Sequence, residues 1–187
     1  MRLCVFSDVH GNIRYLETAR AAWAGQGIDR YVFLGDAVGY FPDGEAVIQV
    51  LQALNALCLL GNHDAMLLGS LPLPPSEEKD TVYQIAAARE WIRPETLNFM
   101  RSWPEVVEET IDGQRVRFVH GTPAHPLTGY AYEDNPPADS FGEAGLDFLF
   151  MGQTHRPWLR QTAHTTVVNI GSIGLPRDNG RSPSYAI

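Results

Sequence analysis

Five short segments of the 187-residue chain carry nitrogen or oxygen donors, and each stands directly behind an apolar run: Asp8-Val9-His10-Gly11-Asn12, Gly35-Asp36, Gly61-Asn62-His63-Asp64, Val119-His120-Gly121 and Gly152-Gln153-Thr154-His155. Taken singly, a Gly-Asp or His-Gly after a strand reads as a capped turn, because glycine and short polar side chains close turns cheaply. Taken together, imidazoles, carboxylates and amides at the ends of several strands meet on one rim, where polar groups without partners are costly. The chemistry of such a set is cation binding. Imidazole mixed with carboxylate and amide oxygen suits manganese, iron, zinc or nickel, whereas calcium takes oxygens alone.

The donors depend on the elements that carry them. Leu3 to Phe6 is a short apolar run ending at Ser7 and Asp8, and Ile13 to Ala24 follows with Ile13, Leu16, Ala19 and Trp23 at helical spacing. The pattern returns with Tyr31 to Leu34, a loop from Gly35 to Pro42 and a helix over Asp43 to Leu54, and again with Leu57 to Leu60 before the loop at Gly61. Three such units predict parallel pairing in an α/β fold, with functional loops at the carboxyl ends of the strands. In the second half, Val106 to Thr110, Val116 to His120, Phe148 to Met151 and Thr165 to Ile170 are strand-like with less helix between them, which predicts a second, more mixed sheet. Between the halves, Leu68 to Ser76 reads as a loop and Lys79 to Arg101 as helix interrupted by Pro94, a helical lid inserted at about 66–104 of a single domain spanning 1–187. Ala124 to Ser140, with Pro126, Gly129, Pro136 and Pro137, reads as an irregular surface loop.

A chain of this length should bury roughly 70% of the surface its unfolded form exposes. Its 44% hydrophobic, 10% aromatic and 19% charged residues exclude a disordered chain or a coiled coil. The formal charge of -8 argues against general binding to nucleic acid or anionic membrane. A small anionic substrate stays open where the site is locally positive. Cys4 and Cys58 sit in apolar runs and read as reduced core thiols. No stretch approaches the ~20 apolar residues of a membrane span. Met1 also leads directly into a strand, so a cytoplasmic location is expected.

In this order the five segments resemble the calcineurin-like metallophosphoesterase superfamily, whose blocks read roughly D-x-H, G-D, G-N-H-D/E, H and G-H-x-H. The match spans residues 8 to 155, and Asn169 to Arg177 is similar to the tail of the small bacterial phosphodiesterase branch. The blocks beginning at Gly35 and Gly61 are most similar to the subgroup labelled phosphodiesterase or diadenosine-tetraphosphatase-like. The resemblance implies a four-layer αββα sandwich of two mixed sheets flanked by helices. It implies two divalent metal ions, one held by Asp8, His10 and His155, the other by Asn62, His120 and Gln153, with Asp36 bridging them. Manganese leads the candidates, with iron, zinc or nickel behind it. The implied activity is hydrolysis of a phosphodiester or small phosphomonoester, nucleotides included. A metal-bridging hydroxide attacks, His63 is the general acid, and the two dications outweigh the negative charges of the site.

The match is imperfect. Gln153 stands where the family usually has histidine, and an amide oxygen is the weaker donor, so the second ion is expected to be looser or different in kind. Gly39 stands where the protein-phosphatase branch has an aspartate orienting the acid histidine, and Tyr40 and Leu60 where it has phosphate-binding arginines. Protein phosphatase activity is therefore disfavoured, and Asp64 is the candidate for orienting His63. Asn12 reads as a helix cap in preference to a donor behind the metals. Arg156 and Arg177 could reach outer phosphate oxygens but read as surface arginines, and His125 and His164 as surface residues. Trp23, Trp91, Trp103 and Trp158 read as core or lid. Two alternatives remain: hydrolysis of dinucleoside polyphosphates, and a metal-binding interaction scaffold, which Gln153 favours and His63 disfavours.

Overall fold

Alternation of apolar runs and amphipathic helices builds β1 (Leu3–Phe6), α1 (Ile13–Trp23), β2 (Arg30–Phe33), α2 (Gly44–Ala53), β3 (Leu57–Cys58) and α3 (Asn62–Leu68) in a computed structural model that describes residues 1–134, 138–178 and 182–187. These strands pair in parallel in the order β1-β2-β3, with Phe6 beside Phe33 and Phe33 beside Cys58. Successive strand side chains face opposite ways. Cys4, Phe6, Phe33 and Cys58 therefore pack against Leu16 and Trp23 of α1 and Ile48 and Leu51 of α2. The opposite face sends Val5 and Val32, with Leu34 and Leu59 beyond the strand ends, against a second sheet at Ile111, Val116, Phe118 and Ile170. Each such side chain contributes roughly 1.5–3 kcal/mol when fully buried.

The second sheet comprises β4 (Val106–Ile111), β5 (Gln114–Val119), β6 (Phe148–Met151), β7 (Trp158–Gln161) and β8 (Thr166–Asn169), ordered β4-β5-β6-β8-β7. Strands β5, β6 and β8 are parallel to one another, while β4 and β7 run antiparallel at the two edges. Sequence periodicity missed β7 because its residues, Trp158, Leu159, Arg160 and Gln161, do not alternate apolar with polar, and Leu159 is exposed. The outer face of this sheet is covered by Ala131, Phe141 and Leu146, from a segment whose regular structure is a 3-10 turn at Ala138–Phe141. Among the described residues two sheets and six α-helices make the α/β fold expected from the sequence. Residues 135–137 of the expected 124–140 loop lie outside the described residues.

Between the sheets in sequence come α4 (Glu77–Tyr83), α5 (Ile85–Trp91) and α6 (Pro94–Met100). Pro94 starts α6 instead of interrupting a helix, its fixed φ being suited to a first turn. A further break falls at Gln84, whose left-handed backbone (φ 57°) turns α4 into α5. Ile85, Ile92, Met100 and Trp103 anchor the segment on the first core, while Trp91 is exposed. Among the described residues no helix is long and apolar enough to cross a membrane.

Candidate metal centre

The carboxyl ends of β1, β2, β3, β5 and β6 bring six of the seven expected donors into a buried cluster, with half-buried Asn62 at its edge. His10 Nε2 lies 3.1 Å from His155 Nε2 and 3.7 Å from Asp8 Oδ1, and His155 Nε2 lies 3.2 Å from that same oxygen. On the other side, His120 Nε2 is 2.6 Å from Gln153 Oε1 and 3.3 Å from Asn62 Oδ1. Asp36 stands between the two groups, its Oδ2 3.6 Å from His10 Nε2 and 3.5 Å from His120 Nε2.

The outer edges of the rings fix which nitrogen faces inward. His10 Nδ1 lies 3.0 Å from the Val38 carbonyl, His120 Nδ1 3.0 Å from that of Leu34, and His155 Nδ1 2.6 Å from that of Leu175. A carbonyl only accepts, so each Nδ1 donates, and in the neutral imidazole the Nε2 lone pair turns to the centre. The lone pairs of His10 and His155 then face each other, and buried Asp8 Oδ1 has no hydrogen-bond donor. Acceptors converging without donors fit a cation, and their mixture of nitrogen and oxygen fits a transition-metal dication.

With protons as the only counter-charge, the groups are driven apart in pKa. Burial pushes His10 down to about 3 against the carboxylate of Asp36. Burial also opposes charge on His120, but Asp36 and Asp8 outweigh it and raise that ring to about 10. Burial opposes ionisation of both carboxylates as well; His120 and His63 nevertheless hold Asp36 far below the usual range, and His155 and His120 hold Asp8 below it.

The backbone is forced at these positions. Asp8, His10, Asp36, Gln153 and His155 all have positive φ, between 53° and 67°. Left-handed backbone at such residues costs roughly 1–3 kcal/mol each and survives only where the surroundings over-determine it. In both Asp8-Val9-His10 and Gln153-Thr154-His155 the outer two residues have this backbone and project into the cluster. A Cβ on Gly61 would fall 2.1 Å from Asp36 Oδ1, so only glycine lets β3 pass so close.

His63 sits differently. It is buried, its main-chain N–H donates to Asp36 Oδ1 at 2.9 Å, and its Nδ1 has no hydrogen-bond partner. It lacks the carbonyl that turns each of the other three rings inward. Aromatic rings confine it instead, with centroids 4.7 Å away at His10, 5.2 Å at Tyr40 and 4.6 Å at Tyr83. A Cβ on Gly39 would fall 2.4 Å from its Nδ1, so an aspartate there has no room. Asp64, the sequence candidate for orienting His63, does something else: its carboxylate accepts main-chain N–H groups from Asp36 (2.7 Å), Ala37 (2.9 Å) and Gly61 (3.1 Å), locking two donor loops together. Burial and the charge of Asp36 push it up to about 7 against the bonds from Gly61 and Asp36.

Tyr83 escaped the sequence reading, which had no signal linking an insertion helix to the segments behind the strands. Asn12 caps α1, accepting from the Tyr15 N–H at 3.2 Å and donating to the Gly174 carbonyl at 2.8 Å. Asn169 to Arg177 braces the cluster from behind: Asn169 Nδ2 donates to the Gly152 carbonyl (2.7 Å) and Ser172 Oγ to that of Asp8 (2.7 Å). Arg177 is exposed, and its guanidinium donates to the Tyr40 hydroxyl at 2.9 Å. His125 and His164 are exposed surface residues, while Trp23, Trp103 and Trp158 are buried.

The sequence profile of the calcineurin-like phosphoesterase superfamily domain matches residues 1–187. An uncharacterized protein of Methanocaldococcus jannaschii is 30% identical over 201 residues, covering 99% of this chain and 81% of its own length. The crystal structure of a metallophosphoesterase from Sphaerobacter thermophilus superposes with a TM-score of 0.80 at 26% identity, covering all of this chain and 82% of that one. A hypothetical protein from Pyrococcus horikoshii OT3 shares the fold, with a TM-score of 0.75 at 22% identity, over 92% of this chain and 77% of its own.

Proposed function

This chain belongs to the calcineurin-like phosphoesterase superfamily, and from that premise we propose that it is a two-metal hydrolase of phosphodiesters or small phosphomonoesters. The observation that carries the reading is the position of Asp36, whose Oδ2 lies at nearly equal distance from His10 Nε2 and His120 Nε2 (3.6 and 3.5 Å), with a donor group on either side. Asp8, His10 and His155 would hold one divalent cation, Asn62, His120 and Gln153 the other, and Asp36 both. Such cations, manganese foremost and iron, zinc or nickel as alternatives, supply an acidified water and positive charge for the phosphoryl oxygens. The Nδ1 bonds of His10, His120 and His155 keep the three rings oriented without reorganisation. His63, confined by Tyr40 and Tyr83 beside the cluster, protonates the departing oxygen. Helices α4 to α6 form a lid at one edge, which Tyr83 joins to the site. Cys4 and Cys58 are free and buried, which supports a reducing, cytoplasmic setting.

Purified protein supplied with manganese should hydrolyse bis-p-nitrophenyl phosphate or the p-nitrophenyl monoester, and Asp36→Asn should lower kcat about 10²- to 10³-fold, the scale of losing a charge-stabilising group. Absence of turnover with manganese, iron, zinc and nickel alike would overturn the proposal. Gln153 favours a second reading, a scaffold that binds metal without turnover, since its amide stands 2.6 Å from His120 Nε2 in place of a stronger imidazole. A metal-loaded wild type that is active, with His63→Ala much slower on an ester whose leaving group needs a proton, excludes it. Dinucleoside polyphosphates belong in the same substrate panel.

A further inference from the structure

Two exposed tyrosines flank one buried alanine beside the cluster. Ala131 is 1% exposed, while Tyr130 and Tyr132 are 48% and 39% exposed. The alanine is pinned through its carbonyl, which accepts from Trp158 Nε1 at 2.9 Å and from Asn169 Nδ2 at 3.4 Å. Asn169 also holds the Gly152 carbonyl, one residue before Gln153. The mount of the tyrosines is therefore part of the mount of an expected metal donor. Their rings stack at 6.1 Å with planes 15° apart, and the Arg156 guanidinium lies 5.9 Å over Tyr132.

The same segment is folded back against the loop that follows His120. Gly121 N–H donates to the Pro126 carbonyl, Gly129 N–H donates to that of His125, and a Cβ on Gly121 would fall 2.9 Å from Gly129 N. Tyr130 thus starts one residue from a contact with the residue after His120. Among the described residues Tyr132 is the ring that stacks on Tyr130, and half the surface of Tyr130 faces solvent. Two large apolar rings held open to water by buried anchors are not explained by packing. A flat, π-faced ligand would cover them, since stacking on aromatic side chains accepts any base-like ring.

We propose that Tyr130 and Tyr132 form a stacking platform beside the metal centre that selects phosphoesters carrying a flat aromatic ring, such as a nucleoside. This rests on the hydrolase reading for its chemistry and adds the class of ester to it. Arg177, held by Tyr40, and Arg156, held over Tyr132, supply positive charge on the same rim for outer phosphate oxygens.

The test uses two diesters with one leaving group, thymidine 5′-(p-nitrophenyl phosphate) and methyl p-nitrophenyl phosphate, on the manganese-loaded protein. Any difference between them then reports the retained group. Wild type should prefer the nucleoside ester in kcat/KM, and Tyr130→Ala with Tyr132→Ala should reduce that preference by about 5- to 100-fold, the range of one lost stacking contact. Calorimetric binding of adenosine 5′-monophosphate against ribose 5-phosphate gives a readout independent of turnover, and the same variants should remove any advantage of the nucleotide. Turnover with equal preference for the two diesters, or variants that slow both equally, would overturn the platform and leave the hydrolase standing. No turnover, with nucleotide binding that depends on the tyrosines, would keep the platform and overturn the hydrolase. If the nucleotide binds no better than the sugar phosphate in wild type, the platform is refuted whatever the kinetics.

Discussion

Gly39→Ala should disable proton donation by His63 while leaving the cation donors in place. Gly39 has φ 95°, and a Cβ there would lie 2.4 Å from His63 Nδ1. Ordinary contact needs about 3.5 Å, so ring and methyl must separate by about 1 Å. The ring cannot simply yield, because His10, Tyr40 and Tyr83 stand within 5.2 Å of its centroid. A misplacement of that size costs about 100-fold in rate when the displaced group acts on the reacting atoms. The unfavourable backbone adds roughly 1–3 kcal/mol of instability. Steady-state kcat should therefore fall about 100-fold for a phenyl or alkyl leaving group, which needs a proton, and far less for p-nitrophenolate, which departs as a stable anion. Gly25→Ala is the control, since Gly25 shares a positive φ (77°) but a Cβ there meets nothing within 4 Å. It should carry the backbone penalty without the kinetic one. Equal losses on both leaving groups, or full activity of Gly39→Ala on the poor one, would refute the role given to His63 and its confinement.

Removing Asp64 should act on folding first: Asp64→Ala strands three buried N–H groups, at Asp36, Ala37 and Gly61, and urea denaturation should show a loss of at least about 2 kcal/mol. Asp64→Asn, which keeps one acceptor oxygen, should fall between it and wild type, and a change under about 0.5 kcal/mol would contradict the bracing role. Cation uptake should be linked to pH through His120. Asp36 and Asp8 outweigh burial and raise it to about 10, so at neutral pH it carries a proton that an arriving cation must displace. Because the proton is favoured below that value, affinity should rise with pH, by about tenfold per unit for one proton released. Calorimetry between pH 6 and 8 in buffers of different ionisation heat measures this, and a flat affinity would rule it out.

Most strands and the polar segments behind them were legible because apolar runs end on a small residue and a polar one, as at Ser7-Asp8, Gly35-Asp36, Gly61-Asn62 and Gly152-Gln153. Leu3–Phe6 and Phe148–Met151 have the same limits in sequence and structure. What was not legible was long-range. No local signal tells that Leu175 supplies the carbonyl for His155, that Asp64 turns away from His63 to bind two other loops, or that Tyr83 arrives from an insertion helix. The left-handed backbone at Asp8, His10, Asp36, Gln153 and His155 is likewise invisible in residue type, because none of the five is glycine, the residue that signals positive φ. Strand β7 failed for another reason: it is an edge strand whose apolar pair, Trp158 and Leu159, followed by Arg160 and Gln161, lacks the alternation that reveals half-buried strands.

The brace from Ser172 to Asp8 spans 164 positions of the chain, and Val5 exchanges both main-chain bonds with Ala186. The chain must therefore have been made at least as far as Ser172 before the first residue of the cluster in chain order is seated. A nascent chain on the ribosome would display Asp8 and His10 long before the pieces that restrain them emerge, and would offer only a loose, low-affinity pair to passing ions. On the proposed two-metal reading, uptake of cations would come late in folding, and removing the residues from Ser172 to Ala186 should loosen the cluster before it unravels the sheets.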